Sequence, residues 1–396
     1  MANRSLNFNP QYWARTALMR LKNRRGMLPR VYRVFEEERK QYGLGQVINI
    51  RKPASFVAQN APGSTAQDIL TGTAQVTIDL FREVKIKASD LEQTFSGGRL
   101  LNDHIGPMID AIADDYDQAL YALASRVPHT YDFANDTDVG KKFAAMQRIM
   151  VDNKLPQGAP VSYMASPLTM ERAGGSVEFS QAQGAGDAAA SNVQTTGVVA
   201  KKYGFDFFVS QNGPTLEGDG VLATGSTPTV GGTPQKNTAT ISLLTGTAQT
   251  LDLNEGQVIA ITDSTTGITE NYAVTADVAH TGNNWNNVPI SPPLRRDLGA
   301  SSTWTFVTTV GLVGSVANYV ADLAFHRNAF AAVMIELPQI QGQGADMYVA
   351  SDPDTGLTVR ARRFYDGHEA DQYVVIDALG GIAVLDADLA LRACVH

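Results

Sequence analysis

The sequence predicts an α+β fold that carries an inserted all-β barrel or sandwich domain. Three observations support this: two long alternating runs between residues 46 and 88, a strongly amphipathic helix over 107–126, and a Ser/Thr-rich series of short alternating runs over 212–310. With 396 residues, of which 43% are hydrophobic, the chain can form about two or three domains with a substantial core. Only 18% of residues are charged, against about 25% in an average globular protein, so we expect a partner to cover part of the surface.

The chain begins with an arm that is both basic and apolar. Residues 1–40 hold ten Lys or Arg and three Glu, a net of +7, and the chain total of −8 leaves −15 for the remainder. Such an arm can contact nucleic acid, dock on an acidic partner or neighbouring subunit, or remain a solvated tail. Its many apolar residues favour packing on a neighbour. The arm residues expected at that contact are Trp13, Arg24, Arg25, Tyr32 and Phe35.

Residues 46–88 predict an unusually long β-hairpin. In its second run, Val76, Ile78, Val84 and Ile86 fall on one face. A strand of about 13 residues spans on the order of 40 Å, which is more than a small domain covers, so we expect a neighbouring subunit to cover the hairpin. The basic residues expected to meet acids of that neighbour are Arg51, Lys52, Arg82, Lys85 and Lys87.

Two helices follow the hairpin. Apolar residues recur at spacings of three and four over 107–126 and again over 138–153, where Thr137 is a suitable N-cap. The polar face of the first helix carries Asp110, Asp114, Asp117 and Gln118. We favour a solvated or partner-facing side over a divalent-ion site for this face.

The composition changes sharply from 214 to 309. About a quarter of these residues are Ser or Thr, none is Met, and six short alternating runs are separated by local turns. Sequence of the main type flanks the segment on both sides, which predicts an autonomous inserted domain over 212–310. We expect it to stabilise the monomer and to contact a neighbour or a decoration protein, with glycan binding as the minor alternative.

The sequence contains no recognisable catalytic or metal-binding motif. The sequence has no nucleophile elbow, no paired-histidine zinc motif and no phosphate-binding loop, and the single Cys394 excludes an intrachain disulfide. Asp386 and Asp388 could share one strand face as a general acid and base, but exposed or partner-paired acids are the preferred interpretation. We therefore predict no enzyme activity and no catalytic, cofactor-binding or metal-binding residues. Neither a signal peptide nor a membrane span is recognisable, so we expect a soluble protein made in the cytoplasm.

The order of arm, long hairpin, long helix and interrupted mixed domain resembles the major capsid proteins of tailed double-stranded DNA bacteriophages. These coat proteins have the Hong Kong 97 fold, and the similarity is greatest to podovirus-type coats with an inserted β-domain. The stretches that carry the resemblance are 47–53 (VINIRKP), 150–167, 323–330 (LAFHRNAF), 377–381 (DALGG) and 385–392 (LDADLALR). None of them is a catalytic signature.

The resemblance implies a division of the chain into named parts. These are an N-terminal arm (1–45), an extended hairpin loop (46–88), a peripheral domain with the spine helix (89–159) and a return strand (351–370), an axial domain (160–211, 311–350 and 371–396), and the inserted domain (212–310). On the return strand, Arg360, Arg362 and Arg363 would face either a neighbouring capsomer or solvent.

The resemblance also implies a function and partners. The chain would self-assemble through hexamers and pentamers into the icosahedral shell of a virion in the host bacterial cytoplasm. It would need a portal and a separate scaffolding protein. The scaffolding protein is expected to be separate because the arm is too short to contain a scaffolding segment. A decoration protein is a further candidate partner, DNA would be contacted only non-specifically, and no cofactor or membrane is implied. The alternatives are an encapsulin-type bacterial nanocompartment shell and, in another class, a β-rich carbohydrate-binding protein or enzyme.

Overall fold

The computed structural model describes most of the chain in separate stretches. These are residues 10–23, 26–33, 47–51, 73–89, 99–133, 138–153, 155–156, 158–181, 199, 201–218, 222, 225–249, 251–307, 318–339, 345–352, 356–368 and 371–395.

The α-helices of these stretches all lie before residue 181, and from Phe205 on the elements are strands and short 3₁₀ turns. The helices are α1 (Pro10–Asn23), α2 (Arg99–Ala122), α3 (Val139–Asp152), α4 (Pro167–Gly174) and α5 (Val177–Ser180). The strands are β1 (Val47–Arg51), β2 (Thr73–Ser89), β3 (Thr130–Asp132), β4 (Val161–Ala165), β5 (Phe205–Val209), β6 (Thr215–Leu216), β7 (Thr229–Val230), β8 (Thr240–Leu244), β9 (Val258–Thr262), β10 (Thr269–Val274), β11 (Asn284–Ser291), β12 (Thr303–Phe306), β13 (Tyr319–His326), β14 (Phe330–Ile335), β15 (Ala345–Asp352), β16 (Leu357–Asp366), β17 (Asp371–Val384) and β18 (Ala390–Val395). None of the helices in this described part is long and apolar enough to span a membrane.

The chain forms two compact units. The first comprises Met1–Asp117 and Phe330–Leu385, and the second comprises Gln118–Ala329 and Asp386–His396. This division differs from the predicted one, which placed 371–396 wholly in an axial domain. The physical reason is that residues 371–396 contain two strands with different partners. Strand β17 pairs with β2, β14 and β16 in the first unit, and β18 pairs with β13 and β3 in the second.

A six-stranded antiparallel sheet forms the centre of the first unit, with the order β1-β2-β17-β16-β15 and with β14 beside β17. The alternation predicted for the second hairpin run is confirmed, since Ala74, Val76 and Ile78 are buried while Gln75 and Thr77 are exposed. Strand β2 is 17 residues long, and Arg82 is the position at which its apolar alternation is interrupted.

The predicted hairpin is present, but the same chain covers much of it. Strand β1 pairs with only the first five residues of β2, from Val47 opposite Thr77 to Arg51 opposite Thr73. From Ile78 to Ser89, β2 instead pairs with β17. Strand β17 therefore satisfies one backbone edge of β2 over 78–89 within the same chain, and cover of the hairpin by a neighbouring subunit stays a prediction.

The two predicted helices are confirmed with different starts. Helix α2 begins at Arg99 and contains Pro107, which we expected at its first turn; the buried stripe extends back to Ile105 and so favours a longer helix. Helix α3 begins at Val139, and its N-cap is Asp138, whose carboxylate accepts a hydrogen bond from the Gly140 amide at 3.0 Å. The predicted cap, Thr137, lies outside the described residues.

The second unit contains a sheet with the order β3-β18-β13-β4-β5, with β6 beside β13. Its core is aromatic: the ring of Phe143 on α3 meets Phe207 edge to face at a centroid distance of 5.0 Å, and Tyr163 at 5.3 Å. Such geometry stabilises a ring pair by about 0.5 to 1.5 kcal/mol beyond the buried area. This cluster joins α3 to the sheet.

The insertion in the second unit is a closed six-stranded barrel, with the order β10-β11-β8-β7-β12-β9. The predicted all-β insertion is thus confirmed, as a barrel rather than a sandwich. The buried indoles of Trp285 and Trp304 pack edge to face at 5.6 Å, and their N–H groups donate to the carbonyls of Leu251 and Leu244 at 3.1 Å each. A complete core of its own supports a separately folding domain.

We expect residues 212–310 expressed alone to fold cooperatively, because closure leaves the barrel no free strand edge and its core is internal. Far-UV circular dichroism should show a β-type spectrum and a single thermal transition. Trp304→Ala should lower the transition by removing the buried indole, at a cost of about 3 to 5 kcal/mol. A disordered spectrum for the unmutated segment would refute autonomous folding.

Candidate functional site

The residues predicted to contact a neighbour converge on the first unit's sheet. Because side chains alternate, cross-strand partners share a face, and one face carries three rows across β2, β17 and β16. The rows of this charged face are Glu83, Asp377 and Arg360; Lys85, Val375 and Arg362; and Lys87, Tyr373 and Phe364.

Asp377 is the centre of an ion-pair network on the charged face. Its two carboxylate oxygens accept from Arg360 Nε at 2.9 Å and Nη2 at 2.7 Å, and Arg362 Nε lies 3.1 Å away. Arg362 also donates from Nη2 to Glu83 at 2.5 Å. Asp377 is 0% exposed and Arg360 is 9% exposed, so this bidentate pair is withdrawn from water. Removal of either partner would therefore leave a buried charge without compensation.

The lysines of the charged face are also held within the chain. Lys87 Nζ lies 2.5 Å from the buried carboxylate of Asp371. Lys85 Nζ lies 4.0 Å from the ring centroid of Tyr373, which stacks on Phe364 at 5.1 Å. An ammonium at this distance from a ring face makes a cation–π interaction.

The opposite face of the sheet binds helix α2. Tyr116 Oη donates to the carbonyls of Leu80 at 2.8 Å and Ala378 at 3.3 Å, and burial raises the pKa of this phenol. Arg82, on the same face, donates to the Asp115 carboxylate. These contacts tie the helix to β2 and β17.

The basic residues of β2 and of the return strand whose side chains are described therefore have partners in their own chain: Arg82, Lys85, Lys87, Arg360, Arg362 and Arg363. Arg363, the last of them, lies 2.6 Å from Asp346 on β15. For Arg360, both predicted environments, a neighbouring capsomer and solvent, are wrong, because the side chain is buried against Asp377. The acids that pair with these arginines, Glu83, Asp377 and Asp346, lie on other strands. No spacing in the sequence indicated which acid would lie opposite which base.

The arm residues are likewise placed on their own chain where they are described. Trp13 is 0% exposed, and α1 packs on β15 and β16, so the prediction that this indole needs a neighbour's surface is wrong. The backbone of Tyr32 pairs with β14: its carbonyl accepts from the Ala332 amide at 3.0 Å, and its amide donates to the Phe330 carbonyl at 3.1 Å. Arg24, Arg25, Phe35 and Lys52 lie outside the described residues, and Arg51 is the last residue of β1, opposite Thr73.

A contact that the sequence did not indicate joins the arm to α2. Asp117 is 3% exposed and accepts from the Leu28 amide at 2.9 Å. A Cβ atom at Gly26 would lie 1.8 Å from Asp117 Oδ2, so any larger residue at this position would displace the carboxylate that accepts from Leu28. The expectation that Asp117 belongs to a solvated or partner-facing helix side is therefore wrong.

Asp386 and Asp388 have structural partners in the second unit. Asp386 caps a short 3₁₀ turn by accepting from the Asp388 amide at 3.1 Å. Asp388 lies 3.1 Å from His129 Nε2 and also accepts from Arg295 beside the barrel. Asp386 is thus exposed and Asp388 is paired, which agrees with the preferred interpretation of exposed or partner-paired acids.

No protein-family model matches the sequence, and no curated protein matches it. Solved structures are similar to the chain over most of its length, at low sequence identity. The cyanophage P-SCSP1u capsid structure is 14% identical, with 93% of this chain and 86% of that chain covered, at a TM-score of 0.48. The mature capsid of bacteriophage PhiM1 is 11% identical, with 88% and 82% covered, at 0.44. A virus-like particle from Pyrococcus furiosus is 8% identical, with 96% and 98% covered, at 0.40.

Proposed function

We propose that this chain is the major capsid protein of a tailed double-stranded DNA bacteriophage and that it self-assembles into the icosahedral shell of the virion. The observation that carries the proposal is the set of elements joined in one chain. An arm packs on a sheet, a 17-residue strand pairs with a short partner at one end, a 24-residue helix follows, and a closed barrel is inserted into a second α+β unit. The sequence resemblance implies this same order.

The hairpin supports a contact with other copies. Its two strands end at the pair Arg51 and Thr73, and residues 52–72 connect them, a segment of 21 residues. Connections longer than about 12 to 15 residues in compact domains are uncommon and usually functional. This one contains only two charged residues, Lys52 and Asp68, so little of it demands solvation.

The first unit suits a structural role. The charges of its sheet face are paired within the chain, its arm is fixed to α2 and β14, and its long strand is paired along both halves. These interactions fix the conformation of the unit within one chain. A shell built of many copies needs each copy to keep the same conformation. We infer a structural protein without a reaction of its own.

The finer points of the proposal concern partners. We infer assembly in the host bacterial cytoplasm through hexamers and pentamers, with a separate scaffolding protein and a portal. The acidic body, at −15 outside the first 40 residues, favours only non-specific contact with packaged DNA. The barrel has eight acids and three bases over 212–310, and we assign it to contact with a neighbour or a decoration protein.

The test removes the hairpin connection and leaves both units intact. Residues 53–71 are replaced by a short Gly-Ser turn, which keeps the register of β1 and β2. The wild-type chain should form large closed shells in negative-stain electron microscopy, while the variant should melt at the same temperature but remain unassembled. A control variant, Gly367→Ala, should still assemble, because the nearest atom to the added Cβ would be Tyr365 Cε1 at 4.0 Å. A wild-type chain that stays strictly monomeric in the presence of its scaffolding protein would overturn the proposal.

A further inference from the structure

Within the described residues, the first unit's sheet ends in a strand, β15, that is paired on one side only. Strand β15 pairs with β16 along its whole length, from Ala345 opposite Phe364 to Asp352 opposite Leu357, without a register shift. An edge strand presents unpaired backbone N–H and C=O groups, which can pair with another chain. The outer edge of β15 is therefore a candidate interaction surface.

This edge lacks the features that normally prevent pairing between sheets. Natural edge strands are protected by lysine or proline residues, by a β-bulge or by their short length. Strand β15 has eight residues and contains neither lysine nor proline. Its two charged residues, Asp346 and Asp352, leave an uncharged stretch over 347–351. An edge of this length and composition favours the addition of a further strand.

One hydrogen bond indicates which backbone groups the edge presents. The Met347 carbonyl accepts from the side-chain amide of Gln339 at 2.8 Å, so Met347 directs its backbone groups away from β16. Because residues alternate in an antiparallel pair, Ala345, Val349 and Ser351 do the same. The side chain of Gln339 is exposed, and an added strand can replace its hydrogen bond.

Helix α1 borders the same edge with exposed apolar side chains. Gln11 Nε2 and Arg15 Nη2 of this helix each donate to Tyr348 Oη at 3.5 Å. Spacings of three and four place Tyr12 and Met19 on the same side of the helix as Arg15. The side chain of Tyr12 is 50% exposed and that of Met19 is 69% exposed. A partner that pairs with β15 would cover apolar surface of α1 as well.

We propose that β15 pairs with β15 of a second copy of this chain, in antiparallel orientation, about a twofold axis at Tyr348. The two six-stranded sheets then join into one continuous sheet. In this register Met347 lies opposite Val349 of the partner subunit, and the two Tyr348 rings lie side by side. Apolar and aromatic pairs of this kind stabilise antiparallel strands.

The charges of β15 select this register. With the axis at Tyr348, residues 345–351 of the two copies pair, and no like charges lie opposite each other. With the axis at Val349, Asp346 would lie opposite Asp352 of the partner subunit at both ends of the contact. Like charges directly opposite each other destabilise a strand pair.

This contact deepens the proposed function, because it supplies one of the contacts between copies that a shell needs. A twofold contact uses the same surface on both copies and closes on itself as a dimer. A shell therefore also needs a second kind of contact, for which the hairpin connection 52–72 remains the candidate.

Disulfide trapping of the full chain tests the pairing and its register. In Tyr348→Cys the two thiols meet at the axis, where the Cα atoms of such a pair lie about 4.5 Å apart, so oxidation with copper phenanthroline should give a covalent dimer. In the control Val349→Cys, the two equivalent Cα atoms lie on a diagonal of about 7–8 Å, and the yield should be at least about fivefold lower. The native Cys394 is buried. No dimer in Tyr348→Cys, or equal yields in both variants, would overturn the proposal.

A charge at the axis provides a second test. Tyr348→Glu places two carboxylates opposite each other in the dimer, while Arg15 remains beside the carboxylate in its own chain. The dissociation constant of the dimer, measured by sedimentation velocity, should rise at least about tenfold at an unchanged melting temperature. The matched control is Tyr365→Glu, since Tyr365 is 54% exposed and lies on β16, away from the edge; its constant should equal the wild type's. Wild-type dimerisation in Tyr348→Glu would overturn the contact.

The outcomes separate this contact from the proposed function. Shells whose subunits do not cross-link at residue 348 would overturn the β15 contact and support the shell. Dimers that cross-link at residue 348 in a chain that never forms shells would support the contact and contradict the proposed function.

Discussion

Replacement of Gly381 by alanine is expected to destabilise the first unit by about 3 kcal/mol or more. A Cβ atom at this position would lie 2.2 Å from the carbonyl oxygen and 2.9 Å from the carbonyl carbon of Thr77. Both atoms belong to the backbone of β2, so no side chain can rotate away, and the strand itself must move. Urea unfolding of the monomer, followed by circular dichroism, measures the loss.

The control for this substitution is Gly367→Ala. The nearest atom to a Cβ at Gly367 is Tyr365 Cε1 at 4.0 Å, which is an ordinary contact. Its unfolding midpoint should match the wild type. If Gly381→Ala unfolds at the wild-type midpoint, the close approach of β17 to β2 does not exist in solution.

The reason for glycine lies in the sheet. The register between β17 and β2 shifts between Gly380 and Gly381, at the point where β17 also pairs with β14. At Gly380 a Cβ would lie 2.7 Å from the Val333 carbonyl oxygen and 3.1 Å from Tyr116 Oη. The two glycines thus allow β2, β14 and β17 to lie close to each other and to Tyr116 of α2. This gives a physical role to the glycines of the stretch 377–381, which is one of those that resemble the capsid proteins.

The elements that the sequence predicted best have local signals. Strand β2 alternates because one face is buried and the other exposed, and the barrel strands are separated by local turns. Strand β17 is different: from Val374 to Ala378 every residue is buried, so period-two alternation is absent. Its pairing with β2 could not be predicted, and without that pairing the hairpin looked uncovered.

The candidate site was harder to predict for a related reason. Basic residues on β2 and β16 could be recognised as charged, but their partners depend on cross-strand register across 279 residues in the case of Arg362 and Glu83. The sequence carries no signal for that register. The basic side chains that we expected to contact a neighbour therefore form ion pairs within the chain. Contacts with other copies are then expected from segments that take no part in these ion pairs.

The ion-pair network makes the second large prediction. Asp377→Ala should destabilise the monomer by about 3 to 5 kcal/mol, because Arg360 would remain 9% exposed with no counter-ion and Arg362 would keep only Glu83. Urea unfolding again measures the change. Glu83→Gln is the matched control: its side chain is 43% exposed, so the loss should be at most about 1 kcal/mol.

A double variant separates a buried charge from a lost contact. In Arg360→Met with Asp377→Leu, both charged groups are replaced by apolar side chains, so no buried charge is left alone. This variant should be more stable than Asp377→Ala, since the desolvation cost of the pair disappears with its attraction. If the double variant were as unstable as Asp377→Ala, the loss would come from packing rather than from the uncompensated guanidinium. A subunit with this network intact keeps β16 and β17 in one register without help from a neighbour. For the proposed shell we therefore expect the assembly contacts to lie in the hairpin connection, 52–72, instead.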